Sequence, residues 1–229
     1  MKKKFKTHKA PFIIGDSGSL SNWGKSGVAD KCRMMKMASM DALSVELKND
    51  EDWALLPKVY THLKKQHMYL LGAIKRLPAD KKKLFCLDGI RTNLSFYKNN
   101  TLFDFCHKNN TPLFVYVGGR EKTKVSMVMK KIARKCHFPL VFMAKDPKPA
   151  LFPFLHHIIH KNPRMYVGYQ DSTEGVVSAI LAFSWGGQFI EKKVRVDDIS
   201  TSRTNSYTIP EFKIFSALLR EGKKYLHWS

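Results

Sequence analysis

Asp197 and Asp198 follow the short run 194–196. Adjacent carboxylates at a strand end can exchange protons or ligate a metal, and in α/β folds such ends face a crevice. The same side chains also accept backbone N–H groups in turns. Gly118-Gly119-Arg120 stands between an apolar run and a helical pattern. Backbone N–H groups there can hold an anion, but the G-x-G-x-x-G spacing of a dinucleotide site is missing, so the segment reads as a tight turn. His156 and His160 lie four apart on one helix face. A zincin needs glutamate after the first histidine, and this chain has His157. Gly24-Lys25-Ser26 resembles the end of a phosphate-binding loop, yet Gly18 precedes Gly24 by six residues where five are required. No Ser/His/Asp or Cys/His arrangement can be assembled. These residues predict no catalytic centre, no metal site and no cofactor.

The elements that would position such groups alternate along the chain. Short apolar runs at 84–87, 113–117, 140–142, 165–167 and 194–196 are continuous, as in strands buried on both faces. Between and around them lie helical patterns at 53–75, 100–107, 121–136, 173–183 and 210–225. The 121–136 pattern predicts burial of Val125, Val128, Met129 and Ile132. Pro210 suits a first helical position, and Pro57 should start a helix or break one. This alternation predicts a three-layer α/β/α domain with a mainly parallel, Rossmann-like sheet over residues 53–229. Residues 1–52 differ. Their first 40 positions carry nine Lys/Arg against Asp16 and Asp30, with Gly15, Gly18, Gly24 and Gly27 among serines. They read as a largely irregular basic extension that orders on a partner, with one short helix near 36–48. No apolar segment follows the first lysines, so the start does not read as a secretory signal.

Charge suggests the partner. The 229 residues hold 40 Lys+Arg against 19 Asp+Glu, a formal net charge of +21. Such a surface self-repels until something anionic neutralises it, and nucleic acid is the leading candidate. The expected contacts are Lys2, Lys3, Lys4, Lys6, Lys9, Arg91, Arg120, Lys122, Lys124, Arg134 and Lys135. Apolar stretches are too short for a membrane span. The four cysteines form no CxxC pair, which fits a reducing compartment without disulfides or structural zinc.

Four segments, in order, resemble the small-subunit ribosomal protein S-two family. They are LFCLDGIRTNLSFYK (84–98, with Gly89 and Arg91), LFVYVGGREKTKVSMVMKKIARKC (113–136, with Gly118 and Arg120), PRMYV (163–167) and VDDISTSRTNSYTIP (196–210, with Asp197, Ile209 and Pro210). The family's Gly-His pair, its Trp-Leu-Gly-Gly motif and the long helical hairpin of bacterial members are missing. The resemblance implies a non-enzymatic, divergent member in the mitochondrial ribosome. Such a protein binds small-subunit rRNA and neighbouring ribosomal proteins between head and body, and supports assembly and translation. The alternative from the residues alone is an α/β enzyme acting on nucleic acid or a phosphorylated substrate, with Asp197, Asp198 and the Gly118 turn at its site. A concave crevice would favour the enzyme, and a convex basic face the ribosomal protein.

Overall fold

The computed structural model describes residues 11–24, 26–74, 77–94, 100–118, 125, 128, 138–145, 157, 165–196 and 206–225. Eight parallel strands close into a barrel: β1 (Phe12–Ser19), β2 (Ala42–Leu47), β3 (Tyr69–Ile74), β4 (Gly89–Asn93), β5 (Leu113–Gly118), β6 (Leu140–Lys145), β7 (Met165–Asp171) and β8 (Phe189–Lys193). Each pairs with the next, and β8 pairs back onto β1 through Phe12–Phe189 to Asp16–Lys193. The described helices outside it are α1 (Val28–Met37), α2 (Asp50–Lys65), α3 (Asn100–Asn109), α4 (Val177–Ser184) and α5 (Ile209–Gly222).

The closed barrel replaces the open, Rossmann-like three-layer sheet expected from the alternation of elements. Strand–helix alternation is common to both architectures. What separates them is whether the first and last strands pair, and β1 lies inside the segment expected to be an irregular extension. Residues 12–47 in fact supply β1, α1 and β2. Glycine and serine mask the pattern of β1, FIIGDSGS, although Ile13 and Ile14 are fully buried. The run 84–87, expected as a strand, is instead largely a 3-10 turn over Lys81–Cys86. The 53–75 pattern joins the end of α2 to β3.

Two apolar cores explain why the strands read as continuous hydrophobic runs. Ile14, Ala42, Leu71, Phe114, Val141, Met143 and Phe189 fill the barrel. The alternate residues, among them Ile13, Leu43, Leu70, Ile90, Val115, Phe142 and Ile190, face the surrounding elements. At the strand N-terminal mouth the filling is aromatic, with Phe12 against Tyr69 and Phe189 at centroid separations of 5.6 and 5.4 Å.

Helix ends follow local chemistry. Asn49 and Asp52 cap α2 reciprocally, three acids occupy its first turn, and His62, Lys64 and Lys65 its last. Pro57 lies inside the helix without ending it. Thr208 and Glu211 cap α5, with Ile209 and Pro210 opening it. Of the four residues expected to be buried in the 121–136 pattern, Val125 and Val128 are buried; Met129 and Ile132 lie outside the described residues.

The packing makes two barrel glycines unequal. A Cβ at Gly168 would stand 2.2 Å from Met143 Sδ and 2.8 Å from the Phe189 carbonyl oxygen. One at Gly15 would meet the flexible Met40 tip, at 2.4 Å, with Val194 Cγ1 at 3.3 Å. Gly168→Ala should therefore cost about 2–3 kcal/mol and Gly15→Ala about 1 kcal/mol or less, since backbone cannot swing aside as a thioether can. Urea denaturation of both variants checks this, and equal midpoints would contradict it.

Candidate active site at the barrel mouth

Polar residues inside the barrel gather toward the C-terminal ends of the strands. Asp16 and Ser44 are register partners on β1 and β2, and Gln170 and Glu191 on β7 and β8. Arg91 on β4 reaches across to both sides. Its Nη1 lies 3.0 Å from Asp16 Oδ2 and donates to Ser44 Oγ at 3.1 Å, while Nη2 stands 3.3 Å from Glu191 Oε1. The guanidinium also stacks on Tyr116 of β5, 4.3 Å from the ring centroid. Tyr116 donates its hydroxyl hydrogen to Glu191 Oε2, and Gln170 Nε2 donates to Glu191 Oε1 at 2.7 Å.

One cation thus faces two carboxylates away from bulk water. Burial pushes the Glu191 carboxyl up to about 7, with Asp16 adding; Arg91 and the hydrogen bonds from Tyr116 and Gln170 pull it down less strongly. Burial also lifts the Tyr116 phenol well above its ordinary range, with Glu191 and Asp16 adding, against the opposing effect of Arg91. For Arg91, desolvation favours the neutral form, but Asp16 and Glu191 more than offset it, so it stays charged. A carboxyl group titrating near neutrality behind a phenol can accept and return a proton at physiological pH.

Above this cluster opens a cavity of about 180 Å³. Its walls include Arg91, Tyr116, Asn93, Glu46, Lys48 and Lys145. Glu46 and Lys48 are ion-paired at its edge. Lys145, the last residue of β6, is exposed and has no ion-pair partner among the described residues. The rim is braced by Asp52. It accepts from Ser19 Oγ at 2.6 Å and from the backbone N–H groups of Ser21, Lys48 and Asn49 at 2.7, 2.8 and 3.2 Å, tying the ends of β1 and β2 to α2. Among the described residues, no three His, Cys, Asp or Glu side chains are placed to share a metal ion.

A second buried pair lies outside the barrel. Lys192 Nζ stands 3.0 Å from Asp171 Oδ2 and also donates to the carbonyls of Thr173 and Gly175, beneath the Tyr207 ring. It ties the β7–α4 turn to the wall under α5.

Of the sequence-derived site residues, Arg91 is in the site, but it points into the barrel and not toward an external phosphate. Gly89 is a close-packed interior position, where a Cβ would meet Leu71 Cδ2 at 2.8 Å. Gly118 pairs with Lys145 at the end of β5. Ile209 and Pro210 begin α5. Lys2, Lys3, Lys4, Lys6, Lys9, Arg120, Lys122, Lys124, Arg134, Lys135, Asp197 and Asp198 lie outside the described residues, as do His156 and His160. Asp16, Tyr116, Lys145, Gln170 and Glu191 were missed. Their signal is a polar residue on the inward parity of a strand, near its C-terminal end.

No protein-family model matches this sequence, and no curated protein matches it. Solved structures do. An N-acetylneuraminic acid synthetase from Leptospira borgpetersenii, in complex with citrate, is similar at TM-score 0.70 and 18% identity, over 96% of this chain and 87% of that one. A truncated 3-deoxy-D-arabino-heptulosonate 7-phosphate synthase from Thermotoga maritima is similar at 0.71 and 16%, over 95% and 87%. Dihydropteroate synthase from Thermus thermophilus is similar at 0.69 and 10%, over 95% of each chain. The likeness is one of fold. The eight-stranded barrel overturns the resemblance to the ribosomal S-two family, which implied an open sheet. The ribosomal, non-enzymatic reading and the rRNA and ribosomal-protein partners rested on that resemblance and fall with it. The mitochondrial expectation has no support of its own in the fold. Among the described residues no helix is long and apolar enough to cross a membrane.

Proposed function

We propose that this chain is an enzyme that binds a small anionic molecule in the mouth of its barrel and moves a proton at it through Tyr116 and Glu191. The observation that carries this reading is the shared cavity, where a phenol hydrogen-bonded to a buried carboxyl lines the same opening as the Lys145 ammonium. Active sites of eight-stranded α/β barrels lie at this C-terminal face. Lys145 would hold the anion, and Tyr116 would take a proton from it while giving its own hydroxyl proton to Glu191, the reverse transfer returning it. The net charge of +21 that suggested nucleic acid serves a small anion equally well, by raising its encounter rate. The citrate in the Leptospira synthetase and the sugar-acid phosphate named for the Thermotoga enzyme are compatible with such a site in this fold.

The test is calorimetric titration with citrate, pyruvate and inorganic phosphate, followed by NMR detection of solvent deuterium entering the carbon-bound positions of citrate or pyruvate, whichever binds. Lys145→Gln should weaken binding about tenfold or more, whereas Tyr116→Phe should leave it within about threefold and slow exchange by about 100-fold or more. If all three anions fail to bind at millimolar concentration, or bind Lys145→Gln equally well, the reading is wrong.

A further inference from the structure

We infer that the outward face of α4 and α5 is a two-fold interface between two copies of this chain. On α4, Ala179, Ala182 and Phe183 pack against the barrel. Val177, Leu181 and Trp185, spaced four apart on the opposite side, are 66, 40 and 40% exposed. The helix has no charged residue. A surface helix ordinarily turns a charged or polar face to water, and the side of α4 away from the barrel instead presents apolar residues. The neighbouring α5 extends the surface with Ile214 and Leu218, 62 and 45% exposed.

Side chains of these sizes and exposures present on the order of 500 Å² of apolar surface, in the range where patches on soluble proteins mark contact sites. Two such patches face to face bury about 1,000 Å², and a polar rim brings the total to that of a stable complex.

The pattern on α5 points to a second copy as the occupant. Its exposed face reads Lys213, Ile214, Ala217, Leu218 and Glu221. Laid antiparallel on its own mate, with the crossing near residues 216–217, it sets Ile214 on Leu218 of the partner subunit and Lys213 on Glu221 of the partner subunit. The two-fold axis repeats both contacts, the self-complementarity an isologous dimer needs. Ala217 at the crossing keeps the backbones close. Glu221 bonds Lys224 in the isolated chain, but that pair is exposed and readily exchanged. The overall charge of +21 opposes association at long range, so added salt should tighten the dimer.

Sedimentation equilibrium of the full chain at low and high salt tests this. The expected mass is twice 26.4 kDa, with a dissociation constant that falls as salt rises. Leu218→Glu should leave a monomer at about 50 μM with unchanged circular dichroism, because Leu218 is exposed and lies outside the core. Lys213→Glu should weaken the dimer about fivefold, and the exchange Lys213→Glu with Glu221→Lys should restore it. A monomer at about 100 μM in both salts, a dimer indifferent to Leu218→Glu, or a double variant no better than Lys213→Glu would each overturn the proposal.

Discussion

Arg91→Met is expected to lower the unfolding free energy by about 3–5 kcal/mol at pH 7.5. The methionine roughly keeps the volume and its contact with the Tyr116 ring, so the loss is mainly electrostatic. Asp16 and Glu191 would remain in the barrel with side chains 7 and 0% exposed and no cation between them. Asp16 would keep the Gly18 N–H, at 3.2 Å, and Glu191 would keep Tyr116 and Gln170. Breaking a buried ion pair by removing one member strands the other, which is why the expected loss exceeds that of any surface pair. For a chain of this length the loss corresponds to a fall in melting temperature of about 10 °C. Adding Glu191→Gln to Arg91→Met should recover part of it by removing one stranded charge. Urea denaturation of the two variants is the measurement. A cost below about 1 kcal/mol for Arg91→Met, or no recovery in the double variant, would mean that the cluster is better hydrated than its geometry indicates.

The same cluster shows why the fold and the site were unequally legible. β5, β6 and β7 were readable because residues buried on both faces leave unbroken apolar runs, as in Leu113–Val117. α5 was readable from Pro210 and the spacing of Phe212, Phe215 and Leu219. Leu218, beside Leu219 in the same helical pattern, is 45% exposed. β2 falls within the helical pattern 36–48 and β3 within that at 53–75, because a strand of six residues beside a helix adds apolar positions that satisfy either period. Closure was not readable, since it depends on Phe12–Asp16 meeting Phe189–Lys193 from opposite ends of the chain. Once closure is known, residues two apart on each strand share the interior. Asp16, Arg91, Tyr116 and Glu191 then become one group, although no two are neighbours in sequence. Asp197 and Asp198, by contrast, are adjacent in sequence. The residues that converge are polar positions on the inward parity of separate strands, such as Glu191 two residues after Phe189 on β8.

Polarity within the barrel therefore runs from an aromatic N-terminal mouth to a charged C-terminal one. The N-terminal ends are secured from outside. Asp41 accepts from the Ile13 N–H and pairs with Arg220, and Asp88 accepts from the Leu70 N–H and pairs with Lys64. Charge at that end staples strand termini to helices, whereas charge at the other end is turned inward beneath a cavity. This division favours a site at the cavity over one on the outer surface.

Glu191→Gln should remove a specific slope from the pH dependence of stability. Burial raises the Glu191 carboxyl from its ordinary 4.5 to about 7, so the folded chain holds a proton that the unfolded chain has lost between those values. Stability must then fall as pH rises through that window, by up to 1.36 kcal/mol per pH unit, or roughly 3 kcal/mol across it. Above about pH 7 both states are ionised at this position and the contribution is flat. Glutamine resembles the protonated acid. Its oxygen can accept from Gln170 and Arg91, and its amide can donate to the Tyr116 hydroxyl, which accepts as well as donates. The variant should match the natural chain near pH 5 and be the more stable of the two at pH 8, with one positive and one negative charge left in the cluster where there had been one and two. Subtracting the two curves of unfolding free energy against pH removes every other titrating group from the comparison. Parallel curves would leave Glu191 titrating in the folded chain where it does in the unfolded one and remove its fitness as a proton acceptor near neutrality. A difference opening between pH 5 and 7 would leave a buried carboxyl poised behind Tyr116, with its proton available to whatever occupies the cavity.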